Sequence, residues 1–212
     1  MTTKIIFDNT KIGLSQEEMR ILRMLDTPGK IQDFVSAIPQ NFEKDGDSCM
    51  SAREVLATRR AHCIEGALVA ALAFWVNGER PLVIDLMATK DDYDHVIAVF
   101  NRNGYWGAIS KGNHAYVRYR DPVYRTLREL AMSYFHEYYD EHGTKTLRSF
   151  SLPLDLSRRA PEVWITGEGA WDVASILDGM RHFPLISRVQ EKILRPIDAV
   201  ERKAATITMY NP

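Results

Sequence analysis

The sequence predicts an α+β fold, with an antiparallel sheet packed on a helix that begins at Cys63 and further helices at both ends. Three observations carry this reading. Asn103-Gly104 separates two β-prone runs, His95 to Phe100 and Tyr105 to Ser110, which is the strongest hairpin signal in the chain. The longest apolar run, Ala67 to Val76, has the length of a buried core helix. Helix-start patterns dominate the stretches before and after this centre. The 212 residues suggest a single domain, 1–212. A chain of this size buries roughly 70% of its unfolded surface and needs no disulfide or metal to hold a core.

Taken in order, Ser15-Gln16-Glu17-Glu18 is a capping-box pattern, followed by Met19, Leu22 and Leu25 at helical spacing. Pro28-Gly29 ends that helix. Ile31 to Ile38 reads as a second short helix closed by Pro39, and Asn41 to Ser48 as a loop. Ser51-Ala52-Arg53-Glu54 is a second capping box, whose helix gives out near Arg59-Arg60. The apolar helix then begins close to Cys63 and runs to Val76, with Asn77-Gly78 as its C-cap pair. Pro81 to Met87 is a buried strand, Asp91 to Asp94 a turn, and the hairpin follows. Pro122 is expected to open a long helix whose apolar face includes Leu127, Leu130, Tyr134 and Tyr138, closed by Gly143. Lys145 to Ser151 reads as a strand. A strand around Trp164, a helix after Trp171 and a helix from Ser187 complete the expectation, interrupted by Pro184 and Pro196.

Several classes are excluded. The 27 basic and 28 acidic side chains leave a net charge of −1, unlike a general nucleic-acid binder. The first ten residues lack the apolar segment of a secretory signal. The longest apolar run is about half the ~20 residues of a membrane-spanning helix. A cytoplasmic chain with reduced thiols, off the membrane, is therefore expected. The two cysteines, Cys49 and Cys63, rule out a disulfide scaffold and a four-cysteine zinc site. His114, His136 and His142 form no metal spacing with acidic residues, and Gly167-Glu168-Gly169 lacks the context of a dinucleotide loop, so no metal and no cofactor are expected.

One thiol remains for chemistry. Cys63 sits at a helix start after Arg59-Arg60-Ala61-His62, where the helix dipole and nearby positive charge favour a thiolate. A cysteine nucleophile needs a base within hydrogen-bond reach. His95 opens the first hairpin strand, and a helix–strand–strand path can return it to the Cys63 helix. In a two-residue turn Ile97 faces Ser110; in a four-residue loop His95 faces Ser110 directly. Both registers put His95 and Ser110 on one face, whereas a three-residue loop would part them. Ser110 is the candidate to orient His95. Asn113 is the alternative third member if the strand bends. His62 is passed over as a base because neighbours on a helix do not face one another. Glu65 is read as favouring the helix N-terminus. Arg118, Arg120, Arg125 and Arg128 read as a solvated or salt-bridged face, with an anion-binding role for Arg118 and Arg120 as the lesser reading.

In this order of parts, the stretch from Ser51 to Ser110 resembles the transglutaminase-like superfamily of papain-like cysteine enzymes. The elements that match are Arg59-Arg60-Ala61-His62-Cys63 opening a helix, an intervening strand, Asp94-His95-Val96 on the next strand, and Trp106 on the one after. Residues 28–147 are also similar to a bacterial subgroup of that superfamily with no assigned function, leaving 148–212 as a C-terminal elaboration. The resemblance implies a papain-like core with Cys63 as nucleophile and His95 as base. The third member is usually an aspartate four residues after the strand tryptophan; here that place holds Ser110, a departure from the pattern, and the small residue usual two before the cysteine is Ala61, a mild departure. The implied activity is a peptidase, amidase or acyltransferase acting on a peptide, protein or small amide. The alternative is a weak or inactive scaffold that binds a peptide or protein partner.

Overall fold

Side-chain caps fix where the early helices begin. The computed structural model describes residues 7–44 and 46–211; the signal-peptide reading of residues 1–10 falls largely outside them. Helix α1 spans Asn9–Ile12. Ser15 and Ser51 each accept the backbone N–H of the third helical residue, and Glu18 and Glu54 return to the cap's own N–H. Helices α2 (Gln16–Met24) and α4 (Ala52–Thr58) therefore start where both capping boxes predict. Between them, α3 is Pro28–Ala37: Pro28 opens this helix at its first turn, capped by Thr27, besides ending the previous one. Arg59 closes α4 in the left-handed conformation, at φ 56°. Helix α5 (Cys63–Val76) follows at once and is buried on all sides along most of its length.

The sheet is antiparallel throughout. Its strands are β1 (Leu82–Met87), β2 (His95–Arg102), β3 (Tyr105–Ile109), β4 (Arg120–Tyr124), β5 (Ser149–Ser151), β6 (Leu154–Asp155) and β7 (His182–Pro184). Their order is β4-β3-β2-β1-β5-β7, with β6 also paired to β1. One face, through Val83, Val96, Ala98 and Phe100, packs on α5 and the helices around it. The other, through Ile84, Leu86, Ile97 and Val99, packs on α6 (Leu127–Met132) and the chain that follows it. Covering both faces explains why β1 and β2 read as nearly unbroken apolar runs rather than alternating ones. The later helices are α7 (Trp171–Gly179), α8 (Arg188–Glu191) and α9 (Ala199–Ala205).

Three expected elements are replaced. The long helix from Pro122 does not form: Pro122 lies in β4, the sheet's edge strand, where a residue without an N–H is tolerated. Helix α6 starts only at the Thr126 cap and ends at Ser133, before a short 3-10 turn at Phe135–Glu137. There Glu137 accepts from the Val117 N–H and from Arg120, which holds the chain against the hairpin. The strand around Trp164 is absent because the Trp164 and Ile165 carbonyls accept the free N–H groups of Ala52 and Arg53 at the start of α4. The strand expected over Lys145 to Ser151 contracts to β5.

The far edge of the sheet carries a buried ionisable pair. His182 Nε2 lies 2.9 Å from Asp85 Oδ2, and the other ring nitrogen of His182 donates to the Met180 carbonyl. Burial, then the charge of Asp94, pushes the Asp85 carboxyl up to about 6 from 3.8. A raised folded value means that this group's stabilising contribution is fully present below 3.8 and is lost as pH rises through about 6. Asp85→Asn keeps a hydrogen-bonding group towards His182 without a charge. It should raise the melting temperature at pH 8, by an amount on the order of 1–3 kcal/mol in stability, and give no gain at pH 4, as followed by thermal denaturation at both pH values.

Candidate active site

The polar run before α5 turns sharply into the helix. His62 is the N-cap residue, with extended backbone (φ −100°, ψ −168°), and Cys63 is the first helical residue. The Cys63 N–H therefore has no carbonyl within the helix to bond, and the sulfur sits at the positive end of the helix dipole. Strand β2 brings His95 to this point from the sheet. The thiol shares one cleft with the side chains of both His62 and His95, close enough for each imidazole to act on it. Burial alone would push the thiol up, but the polar interaction and charge of the two imidazoles, His62 first and then His95, outweigh it and hold Cys63 well below an ordinary cysteine.

The hairpin turn is the two-residue one. Arg102 pairs with Tyr105 and Ala98 with Ile109, with Asn103 and Gly104 at φ 53° and 88°. Ser110, just past the paired part of β3, lies on the His95 side, and His95 Nε2 is 2.9 Å from Ser110 Oγ. Ser110 Oγ is also 2.6 Å from the Val117 carbonyl oxygen, which can only accept. The hydroxyl proton is thus committed to Val117, and Oγ accepts from His95 Nε2–H. This fixes the tautomer and leaves Nδ1 as the nitrogen free to exchange a proton with the thiol. Ser110 is itself anchored: its N–H and C=O both bond the Gln32 side chain on α3.

Asn113 does not reach His95. Its amide donates to the Tyr210 carbonyl and accepts from the Tyr210 N–H, pinning the C-terminal segment to the loop after β3. Arg118 and Arg120 are also spoken for within the fold. Arg118 donates to the Gly112 carbonyl, and Arg120 pairs with Glu137 at 2.6 Å. The lesser reading of these arginines as an anion site is not carried by their geometry.

Two features escaped sequence reasoning. First, His62 contacts the thiol, because an N-cap residue lies outside the helix and the rule against neighbours facing each other does not govern it. Second, Glu65 is fully buried and gathers the site's approach loop. It accepts from the N–H of Met50 and of His62, from Asn41 Nδ2 and from Ser48 Oγ, and lies 3.2 Å from His62 Nε2. Burial alone would raise this carboxyl, but His62 above all, with the backbone donors, holds it down at about 2. The Ser48-Glu65 spacing carries no local motif that could have announced this. Cys49 is buried beside Glu65, and burial with that negative charge pushes its thiol up to about 12.

A cleft of about 410 Å³ opens over the sulfur. Gln40 and Phe42, Tyr93 and Asp94, and Lys111 and Asn113 contribute three of its walls around Cys63, His62 and His95. Lys111 Nζ donates to the carbonyl of Ile38 at the end of α3, and burial, with the charge of Arg118, lowers it to about 8. No group of three or more His, Cys, Asp or Glu side chains among the described residues could hold a metal ion. No described helix is long and apolar enough to cross a membrane. No protein-family model matches the chain and no curated protein matches it.

Proposed function

We propose that the protein is a cysteine-dependent amide hydrolase or acyltransferase of transglutaminase-like type, built on a papain-like core and working as a reduced, cytoplasmic enzyme. The observation that carries this reading is a thiol at a helix N-terminus that shares its cleft with His95, whose Nε2 is held by Ser110. His95 Nδ1 takes the Cys63 proton, and the sulfur attacks the carbonyl carbon of a peptide, protein or small amide. The developing oxyanion meets the free Cys63 N–H. The C–N bond then breaks, His95 returns its proton to the leaving amine, and a thioester remains on Cys63. Water or a second amine, deprotonated by His95, attacks the thioester and releases the sulfur. Water gives hydrolysis; an amine gives acyl transfer.

The absence of an acid at Ser110 favours a second reading, a scaffold that binds a peptide or protein partner without turnover. Site-resolved alkylation separates the thiol chemistry from an inert core. Iodoacetamide at pH 6 should label Cys63 much faster than Cys49, whose thiol is buried and raised. Cys63→Ala should remove that fast labelling together with amine release from a peptide library. Equal, slow labelling of both cysteines would overturn the enzyme reading; fast labelling of Cys63 without any amine release would favour the scaffold.

A further inference from the structure

The Cys63 sulfur has two imidazole neighbours, and they are supported differently. His95 leans on a neutral hydroxyl, which orients the ring but supplies no negative charge to an imidazolium. His62 leans on a carboxylate. Its Nε2 is 2.9 Å from the Ser48 carbonyl and 3.2 Å from Glu65 Oε1, both acceptors, so Nε2 carries a proton and Nδ1 is the ring nitrogen left to take up another. Glu65 is fully buried, and its remaining lone pairs are filled by Met50, Asn41, Ser48 and the His62 N–H. A buried carboxylate so placed calls for a positive partner, and His62 is the one at hand.

Resting on the reading of Cys63 as the acyl-accepting nucleophile, we propose that two imidazoles divide the work. His62, carried by Glu65, is a catalytic residue that supplies a standing positive charge to the Cys63 thiolate, and His95 moves the proton. Glu65 is the positioning residue of this pair. His62 keeps the same protons throughout the reaction; the thiol proton goes to His95 and from there to the leaving amine. The acid missing beside His95 is thus present on the other side of the sulfur, one helical turn along.

The electrostatic surroundings agree with this division. His62 is pushed up to about 11, against the opposing effect of burial, by its bonds to Cys63 and Glu65. Among the described residues, the other ionisable groups that act on the sulfur and ring include Glu43, 3.8 Å from His62 Nε2, the buried thiol of Cys49, Tyr138 and His95. Asp92, Asp94 and Lys111 stand further along the cleft wall.

The test is the pH midpoint of Cys63 alkylation by iodoacetamide, read by mass spectrometry alongside amine release. His62→Gln should raise the midpoint by roughly one pH unit or more. His62→Lys, which keeps a cation, should hold it near the wild-type value. His95→Gln should retain fast alkylation at pH 7 while amine release is lost. In the wild-type protein, 15N NMR of the His62 ring at pH 8 should show an imidazolium, a readout that needs no variant to fold. An unchanged midpoint in His62→Gln, or a neutral His62 ring at pH 8, overturns the proposal even if amides are cleaved. If the midpoint shifts and the ring is charged but no amide is cleaved, the division of charge stands and the enzyme reading falls.

Discussion

Replacing His95 by alanine should cut amine release by about 10²–10⁴-fold, the range expected for loss of a positioned general acid–base, while the folded protein survives, because His95 is half-exposed at the mouth of the sheet. Ser110→Ala should cost less, about tenfold to a hundredfold as a share of that range. It leaves the imidazole in place but removes the acceptor that fixes its tautomer. Asparagine is the informative replacement. Its amide can donate to the Val117 carbonyl and accept from His95 Nε2–H, the two roles the serine hydroxyl performs now. Aspartate should do worse than asparagine. It would set a carboxylate against the Val117 carbonyl at a position only 1% exposed. Steady-state kinetics on the three Ser110 variants, normalised to folded protein, check the ranking. Aspartate exceeding serine would mean that Val117 moves away to admit a carboxylate beside His95.

The part of this site written in local sequence was legible, and the part made by long-range packing was not. Capping boxes at Ser15 and Ser51 place two helix starts because all the atoms involved lie within one turn. Asn103-Gly104 fixes the hairpin register, and the register alone puts His95 and Ser110 on one face. Pro122 misled because its preference for a first helical turn competes with its tolerance on an edge strand, and the pairing of β4 with β3 decides the outcome. Trp164 misled for a related reason: a β-prone run is spent capping α4 instead of joining the sheet. The rule that helix neighbours do not face one another is sound inside a helix and silent at its cap, where His62 sits. Glu65 read as a dipole partner on the first turn, which it is, but its bonds to Asn41, Ser48 and Met50 close loops across 15 to 24 residues. No periodicity or motif encodes those.

Glu65 is where fold and site meet, so its replacement should have the largest effect on stability. Glu65→Gln keeps the shape but turns an –NH2 group towards donors. Whichever way the amide lies, two or more of the Met50 N–H, His62 N–H, Asn41 and Ser48 groups face a donor instead of an acceptor. Breaking a buried charged pair by removing one partner costs about 3–5 kcal/mol, which for a chain of this length is a fall on the order of 10 °C in melting temperature. The pH dependence gives an independent measure. The carboxyl is held at about 2 against 4.5 when free. A depressed folded value means that the stabilisation is fully present above 4.5 and is lost as pH falls through about 2, an amount of about 3 kcal/mol. Denaturant unfolding between pH 7 and pH 2 should therefore show a steep acid loss in the wild-type protein that is largely absent in Glu65→Gln, whose deficit is already present at pH 7. The loop from Asn41 to Met50 should exchange its amide protons faster in the variant than the sheet does, because Glu65 is the group that ties that wall of the cleft to the start of α5. A variant that melts with the wild type and keeps that loop protected would show that the loop is held by its own packing, and that the carboxylate serves His62 alone.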